Sequence, residues 1–320
     1  MRLLVVLFIV ITSCISSAQL FAQVSTADAI ARLKHMTEAF AALNYEGVFI
    51  YANPKQINSI QVRHQLIAGV EYESLLDLDG DSVQVLRVGD RVICVYPDKN
   101  SASSRGPLLT SLQHFENLPA EQLALGYDFV VSPEHARIAG REAIEITLEP
   151  KDEYRYGHVF WLDVENNFLL KHVTLSTSDE PLERMQFTSV KFNTDLKAED
   201  FAPKKGTYSE LVHEEPARPI KNQWKFDWLP DGFKPVWPQA RALNHGTSML
   251  LLSDGMTTLS VFVEPSMKTK AMTVFSMGAT LAGERSIKVG DQLYLLTMVG
   301  EVPEVTITKL MSVFMPRVQE

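Results

Sequence analysis

The stretch from Tyr156 to Leu175, YGHVFWLDVENNFLLKHVTL, decides the fold. It reads as two extended runs about a polar turn at Glu165-Asn166-Asn167, a β-hairpin. Successive side chains of a strand point to opposite faces. On the first run one face carries Tyr156, His158, Phe160 and Leu162, and the other Gly157, Val159, Trp161 and Asp163. A strand at the surface of an antiparallel sheet is ordinarily apolar on one side only. Here large rings stand on both, so something must cover the second face.

Similar runs surround this hairpin. YEGVFIYA, INSIQVRHQLI, EYESLLDLD, SVQVLRVG and RVICVYP precede it, joined by Asn-Pro, Ala-Gly, Asp-Gly-Asp and Gly-Asp turns. They read as an antiparallel meander. YDFVVS, EAIEITLEP and ERMQFTSVKFN add further strands. Before them, Ser25–Leu43 reads as a helix capped by Ser25, with an apolar stripe of Ile30, Leu33, Met36, Thr37, Phe40 and Leu43. Leu108–Leu125 reads as helical or irregular.

Proline and charge then interrupt the pattern in PKKGTYSELVHEEPARPIKN, residues 203–222, which reads as a linker. Beyond it come strand-like runs, SMLLLSD, TTLSVFVEP, MTVFSMGATLAG, ERSIKVG and QLYLLTMVG. A helix follows from Pro303 to Phe314, with Ile307, Leu310, Met311 and Phe314 on its apolar face. The fold class is α+β, with two folded domains at 23–202 and 223–320.

The first 22 residues stand apart. One arginine precedes an apolar run from Leu3 to Ile11, and small residues follow. A bilayer-spanning helix needs roughly 20 apolar residues. The run is shorter, and it reads as a secretory signal peptide cut after Ala18 or Ala22. Ile11-Thr12-Ser13-Cys14 offers a rival, a lipoprotein signal lipidated at Cys14. Removing the peptide leaves Cys94 as the one cysteine, so the exported chain has no internal disulfide. Cys94 lies in a strand pattern and reads as a buried, inert thiol.

The chain is 46% hydrophobic and 22% charged, a globular balance, with a formal net charge of −9. From residue 222 onward nine Lys/Arg offset nine Asp/Glu, so the excess acid lies earlier. An acidic N-terminal half argues against nucleic acid and against adhesion to anionic membranes.

Motifs for chemistry are missing. No two of the eight histidines lie at a metal-binding spacing. DLDGDS, from Asp77, fails as a calcium loop, because Ser82 stands at the turn-glycine position and Val88 at that of the bidentate glutamate. There is no nucleophile elbow, phosphate loop or dinucleotide fingerprint. The expectation is a binding protein, with no catalytic residue, metal or cofactor.

Two patterns suggest what is bound. The first is the aromatic content of the early strands: Tyr45, Phe49, Tyr51, Phe129, Tyr156, Phe160, Trp161, Phe187 and Phe192. These rings either fill a core or line a partly empty concave sheet. Burying an acyl chain there, at about 0.8 kcal/mol per methylene, is worth on the order of 10 kcal/mol gross. Candidates for such a groove are Met36, Phe40, Phe49, Tyr51, Phe160 and Phe187. The second pattern is methionine, with eight of eleven beyond residue 222. Methionine fills cores and also lines adaptable peptide-binding surfaces. Candidates for a partner surface are Trp228, Phe233, Met249 and Met256.

LNYEGVFIY, the VRH of Val62–His64, LLDLDG, YDF with RIAGREAIEI, YGHVFWLD, WLPDGF, LLLSDGMTTLSVFVEP and VGEVPEVTI occur in an order and spacing that resemble the RseB/MucB family. Its members are periplasmic regulators of the envelope-stress sigma factor, and the resemblance spans nearly the whole chain after the signal peptide. It implies an N-terminal domain similar to LolA and LolB, a curved, incomplete antiparallel barrel plugged by helices, and a smaller C-terminal α+β domain. It also implies two partners. One is the periplasmic part of a membrane-spanning anti-sigma factor, thereby shielded from proteolysis; residues 223–320, with the linker, are expected to supply most of that contact. The other is an acyl-chain ligand, lipopolysaccharide or mislocalised lipoprotein, sensed by residues 23–202. Self-association is left open. A periplasmic lipid or lipoprotein carrier is the alternative function, disfavoured by the second domain.

Overall fold

The structure is a computed structural model that describes residues 26–79, 83–96, 115–203, 207–211 and 218–317, with only the backbone described for 207–211. The expected signal peptide, Cys14 and Ser25 lie outside these residues, as does the stretch 108–114. Among the described residues no helix is long and apolar enough to cross a membrane.

The first sheet is built from β1 (Tyr45–Asn53), β2 (Gln56–Ile67), β3 (Val70–Asp77), β4 (Gln84–Val88), β5 (Arg91–Tyr96), β6 (Tyr127–Ile138), β7 (Arg141–Pro150), β8 (Gly157–Asp163), β9 (Leu169–Leu175), β10 (Pro181–Phe192) and β11 (Thr207–Leu211). Their order is β11-β5-β4-β3-β2-β1-β10-β9-β8-β7-β6, an open antiparallel sheet with β11 and β6 at its edges. Register shifts at Val48/Phe49, Val131/His135 and Trp161/Leu162 bend it. Residues 26–42 form the expected helix, and Leu33, Met36 and Phe40 from its stripe are buried in the core of this sheet. Residues 115–116 and Ala120–Leu123 form shorter helical turns on the same core.

The hairpin of β8 and β9 turns where the sequence places it, with Asn167 at φ 58°, a conformation asparagine tolerates. Phe160 and Leu162 face the core with Ile144, Ile146 and Leu169. The other face is covered by the strands' own neighbours. Val159 lies beside Thr147 and Val173, and Trp161 beside Glu145 and Lys171. The Lys171 ammonium sits 3.7 Å from the centre of the Trp161 ring. Asp163 pairs with Arg141, whose guanidinium lies over Phe192. Cationic side chains thus cover the half-buried Trp161 and Phe192 rings.

The second sheet follows the order β12-β15-β16-β17-β20-β19-β18, with β14 beside β16. These strands are β12 (Pro219–Ile220), β14 (Lys234–Pro235), β15 (Ala240–Ala242), β16 (Ser248–Ser253), β17 (Thr258–Ser266), β18 (Thr273–Met277), β19 (Thr280–Val289) and β20 (Gln292–Gly300). A separate pair joins β13 (Trp224–Phe226) to β21 (Phe314–Pro316). The helix Glu304–Val313 buries Ile307, Leu310 and Met311 in the core of this sheet, together with Phe314.

Two local readings change. MTVFSMGATLAG is not one run, because a turn at Gly278-Ala279 splits it between β18 and β19. The stretch 203–222 carries two strands, β11 against β5 and β12 against β15. A sheet edge pairs through backbone groups alone, so charge and proline nearby do not prevent it.

Candidate functional site: the cavity between the domains

The two sheets are joined by side chains that cross between them. In the loop after β7, Arg155 is 1% exposed and Asp254, on the turn between β16 and β17, is 0% exposed. Arg155 Nη1 donates to Asp254 Oδ2 at 3.0 Å. Its Nε and Nη2 donate to the two oxygens of Asp152 at 3.0 and 2.8 Å, and Nη2 also donates to the Asp231 carbonyl at 2.6 Å. The guanidinium lies between the Tyr127 and Phe233 rings, 5.4 and 5.5 Å from their centres. A side chain at Gly126 would put a Cβ 1.8 Å from Nη1, so only glycine leaves room.

Asp254 in turn accepts from the Met256 and Thr257 backbone N–H groups at 3.0 and 2.9 Å. Burial pushes its carboxyl up, and these bonds and Arg155 oppose the shift. The turn so held drives Met256 into the core of the first sheet. In the opposite direction Tyr156 and Leu182 join the core of the second. Lys309 donates to the Tyr154 hydroxyl at 2.7 Å and sits over Trp228, whose ring is 4.7 Å from that of Tyr154.

Between these contacts lies a cavity of about 790 Å³, within the range of small-ligand sites. The first domain contributes Tyr51, Phe115, His158, His172, Glu183 and Met185, and the second Met256, Met277, Val299 and Glu301. Lys55 and Arg184 also line it. His158 and His172 stack, with a ring nitrogen of each 3.2 Å from the other. Glu183 accepts from the Ala279 backbone N–H at 3.2 Å, a bond across the domains. Burial, and Glu183 nearby, push the Glu301 carboxyl up to about 7. The residue is exposed towards the cavity it lines. Burial raises the Tyr51 phenol, and a hydrogen bond to Glu183 adds to the shift. The wall is therefore mixed, apolar at Tyr51, Phe115, Met185, Met256, Met277 and Val299 and polar or charged at most of its other residues, a lining that suits a molecule with both an apolar chain and a polar end.

Of the six groove candidates, Tyr51 lines the cavity. Met36, Phe40, Phe49, Phe160 and Phe187 are at most 1% exposed and lie in the packed core. The stripe of the 26–42 helix fills the concavity they were expected to border, and Phe168 completes the filling with rings 4.9 Å from Phe40 and 5.3 Å from Phe187. Three of the four partner-surface candidates face the first domain: Trp228 against Tyr154, Phe233 against Arg155, and Met256 in the core. Met249 is half-buried on β16, opposite Arg241 and Phe262. The sequence reading missed Arg155, Asp254, Glu183, Glu301 and the histidine pair. Arg155 and Asp254 are 99 positions apart, and no local pattern connects them.

Residues 28–205 match the MucB/RseB N-terminal domain and residues 218–314 the MucB/RseB C-terminal domain. The chain is 30% identical over 294 residues to the sigma factor AlgU regulatory protein MucB of Pseudomonas aeruginosa, with 87% of each chain covered. It is 27% identical over 285 residues to the sigma-E factor regulatory protein RseB of Escherichia coli (strain K12), with 88% of each covered. The solved MucA/MucB complex of P. aeruginosa gives a TM-score of 0.76 at 25% identity, over 91% of this chain and 100% of that one. MucB in complex with MucA(peri) gives 0.73 at 24% identity, over 90% and 99%. With both halves matched in order, this chain belongs to the MucB/RseB family.

Proposed function

We propose that the chain is a non-enzymatic periplasmic regulator of an envelope-stress sigma factor. It binds the periplasmic segment of a membrane-anchored anti-sigma factor and shields it from regulated proteolysis. It lets go when an acyl-chain ligand, lipopolysaccharide or mislocalised lipoprotein, enters the cavity. Sensing centres on residues 23–202, with the far wall of the cavity lent by 223–320, and partner binding falls mainly to 223–320 with the linker before it. The kinship with sigma factor regulatory proteins supports the class of function.

The observation that carries the switch is that one cavity has walls from both domains. A ligand inside it touches both at once, so its binding energy depends on how they sit together. A ligand shifts an equilibrium only by its difference in affinity for the two states. A preference of roughly 100-fold, about 2.7 kcal/mol, makes a usable switch. Tyr51 and Met256 meet the ligand in this arrangement. Met36, Phe40, Phe49, Phe160 and Phe187 form the packed floor below. Trp228 and Phe233 act on the partner through the domain contact, and Met249 from its sheet.

The test is the affinity of the purified chain for the anti-sigma segment, measured with and without a lipid A-type ligand. Weaker binding with ligand is expected, and equal affinities would sink the switch. Truncation after Lys205 should abolish binding; if it leaves binding intact, the division of labour between the domains is wrong.

A further inference from the structure

β18 ends the second sheet and pairs with β19 along one side only; among the described residues no strand covers its other side. Edge strands are usually blunted by charge, proline or a bulge. Thr273-Val274-Phe275-Ser276-Met277 has neither charge nor proline, and its pairing with β19 shows no register shift. Phe275 is 51% exposed and Met277 66%, and Met267 in the preceding loop is 100% exposed. From Pro265 to Gly283 the chain has no acidic residue and two lysines, Lys268 and Lys270, against a net charge of −9 overall.

The hairpin fixes which backbone groups are free. Met277 pairs with Thr280 across Gly278-Ala279, and Gly278 has φ +65°. A two-residue turn with glycine first closes on a hydrogen-bonded pair. Such pairs alternate along an antiparallel ladder. Thr273, Phe275 and Met277 therefore bond to β19, and the N–H and C=O groups of Val274 and Ser276 point outward. The Val274 side chain packs against the second core, which anchors the strand.

We infer that this edge takes an extended segment of the partner protein as an added strand, an inference that rests on the partner-binding function proposed above. Strand addition uses backbone hydrogen bonds for affinity and alternate side chains for choice of partner. Val274 and Ser276 supply the first, and Phe275 and Met277 the second. Glu284 pairs with Lys270 and Glu183 sits at the turn, so Lys268 is the charge that favours a segment carrying an acidic residue beside its apolar ones. A membrane surface also suits exposed methionine, phenylalanine and lysine. Hydrocarbon cannot bond the outward groups of Val274 and Ser276, whereas a polypeptide can. Met277 and Gly278 also line the cavity between the domains. An added strand thus ends beside the ligand site, and the two occupants share one hairpin.

The experiment uses the full chain and the periplasmic segment of the MucA-type protein from the same organism, titrated by calorimetry. Ser276→Pro removes an outward N–H and leaves the β19 ladder in place. Phe275→Glu sets a negative charge on the docking face. Each should weaken binding at least tenfold with the melting temperature little changed. In the wild-type complex the amides of Val274 and Ser276 should gain protection from hydrogen exchange. Wild-type affinity in both variants, or no gain of protection at these amides, overturns the inference even if a variant fails to fold. Loss of binding to phosphatidylglycerol vesicles, with the segment still bound, assigns the patch to a membrane and overturns it too. If the wild-type chain does not bind the segment at all, the failure belongs to the proposed function.

Discussion

The Arg155 guanidinium has an acceptor on each side: Asp152, Asp254 and the Asp231 carbonyl. Such a pair is not a large net source of stability, since both charges lose their water. Its effect shows when one partner goes. Arg155→Ala leaves Asp254 buried and unpaired, and should destabilise the chain by about 3–5 kcal/mol in urea unfolding. Arg155→Ala with Asp254→Ala should cost less than the sum of the single changes, because the fully buried carboxylate is no longer left without its cation and only the part-exposed Asp152 loses its partner. Glu301 gives a pH dependence of known sign. Burial and the nearby Glu183 push its carboxyl up to about 7 in the folded chain, above the ordinary range of a glutamate. The folded state holds this proton more tightly than the unfolded one, so the contribution is fully present below the unfolded value. It is lost as pH rises through the folded value. Glu301→Gln should flatten that part of the stability profile, read by thermal melts from acid to neutral pH.

At the scale of elements, the helix at 26–42 seats the first sheet. Met36 is 0% exposed in its core. Met36→Ala should cost about 2–5 kcal/mol in chemical unfolding, the range for buried large-to-small changes. This helix was legible in sequence because its stripe has the helical period. The strands were legible because they alternate about Gly, Asn and Pro turns. Two things were not. β11 was hidden because edge pairing uses backbone atoms, and the lysines and prolines around it signalled a linker. The filling of the concavity was hidden because Phe40, Phe49 and Phe187 read alike whether they line a groove or meet a helix. Periodicity tells which face is apolar and is silent on what lies against it.

At the scale of the molecule, domains of one chain usually move against each other unless their interface is large and apolar. Here each core borrows from the other domain: Met256 completes the first, and Tyr156 and Leu182 extend the second. The whole chain should therefore unfold in one calorimetric transition. Arg155→Ala, by loosening the turn that carries Met256, should split it into two. The cavity is a product of the same union, and that is why only Tyr51 and Met256 of its lining were among the residues singled out in sequence. Glu183 and Glu301 lie on different sheets, and only the meeting of the sheets puts them in one chamber.

Met256 has a consequence for the order in which the protein can be completed. Polypeptides are made from the N-terminus, and early domains ordinarily fold as units before later ones arrive. In this chain the first sheet is finished long before the methionine that stops its floor. A first half without residue 256 would carry a gap the width of one side chain, so its completion depends on the second half.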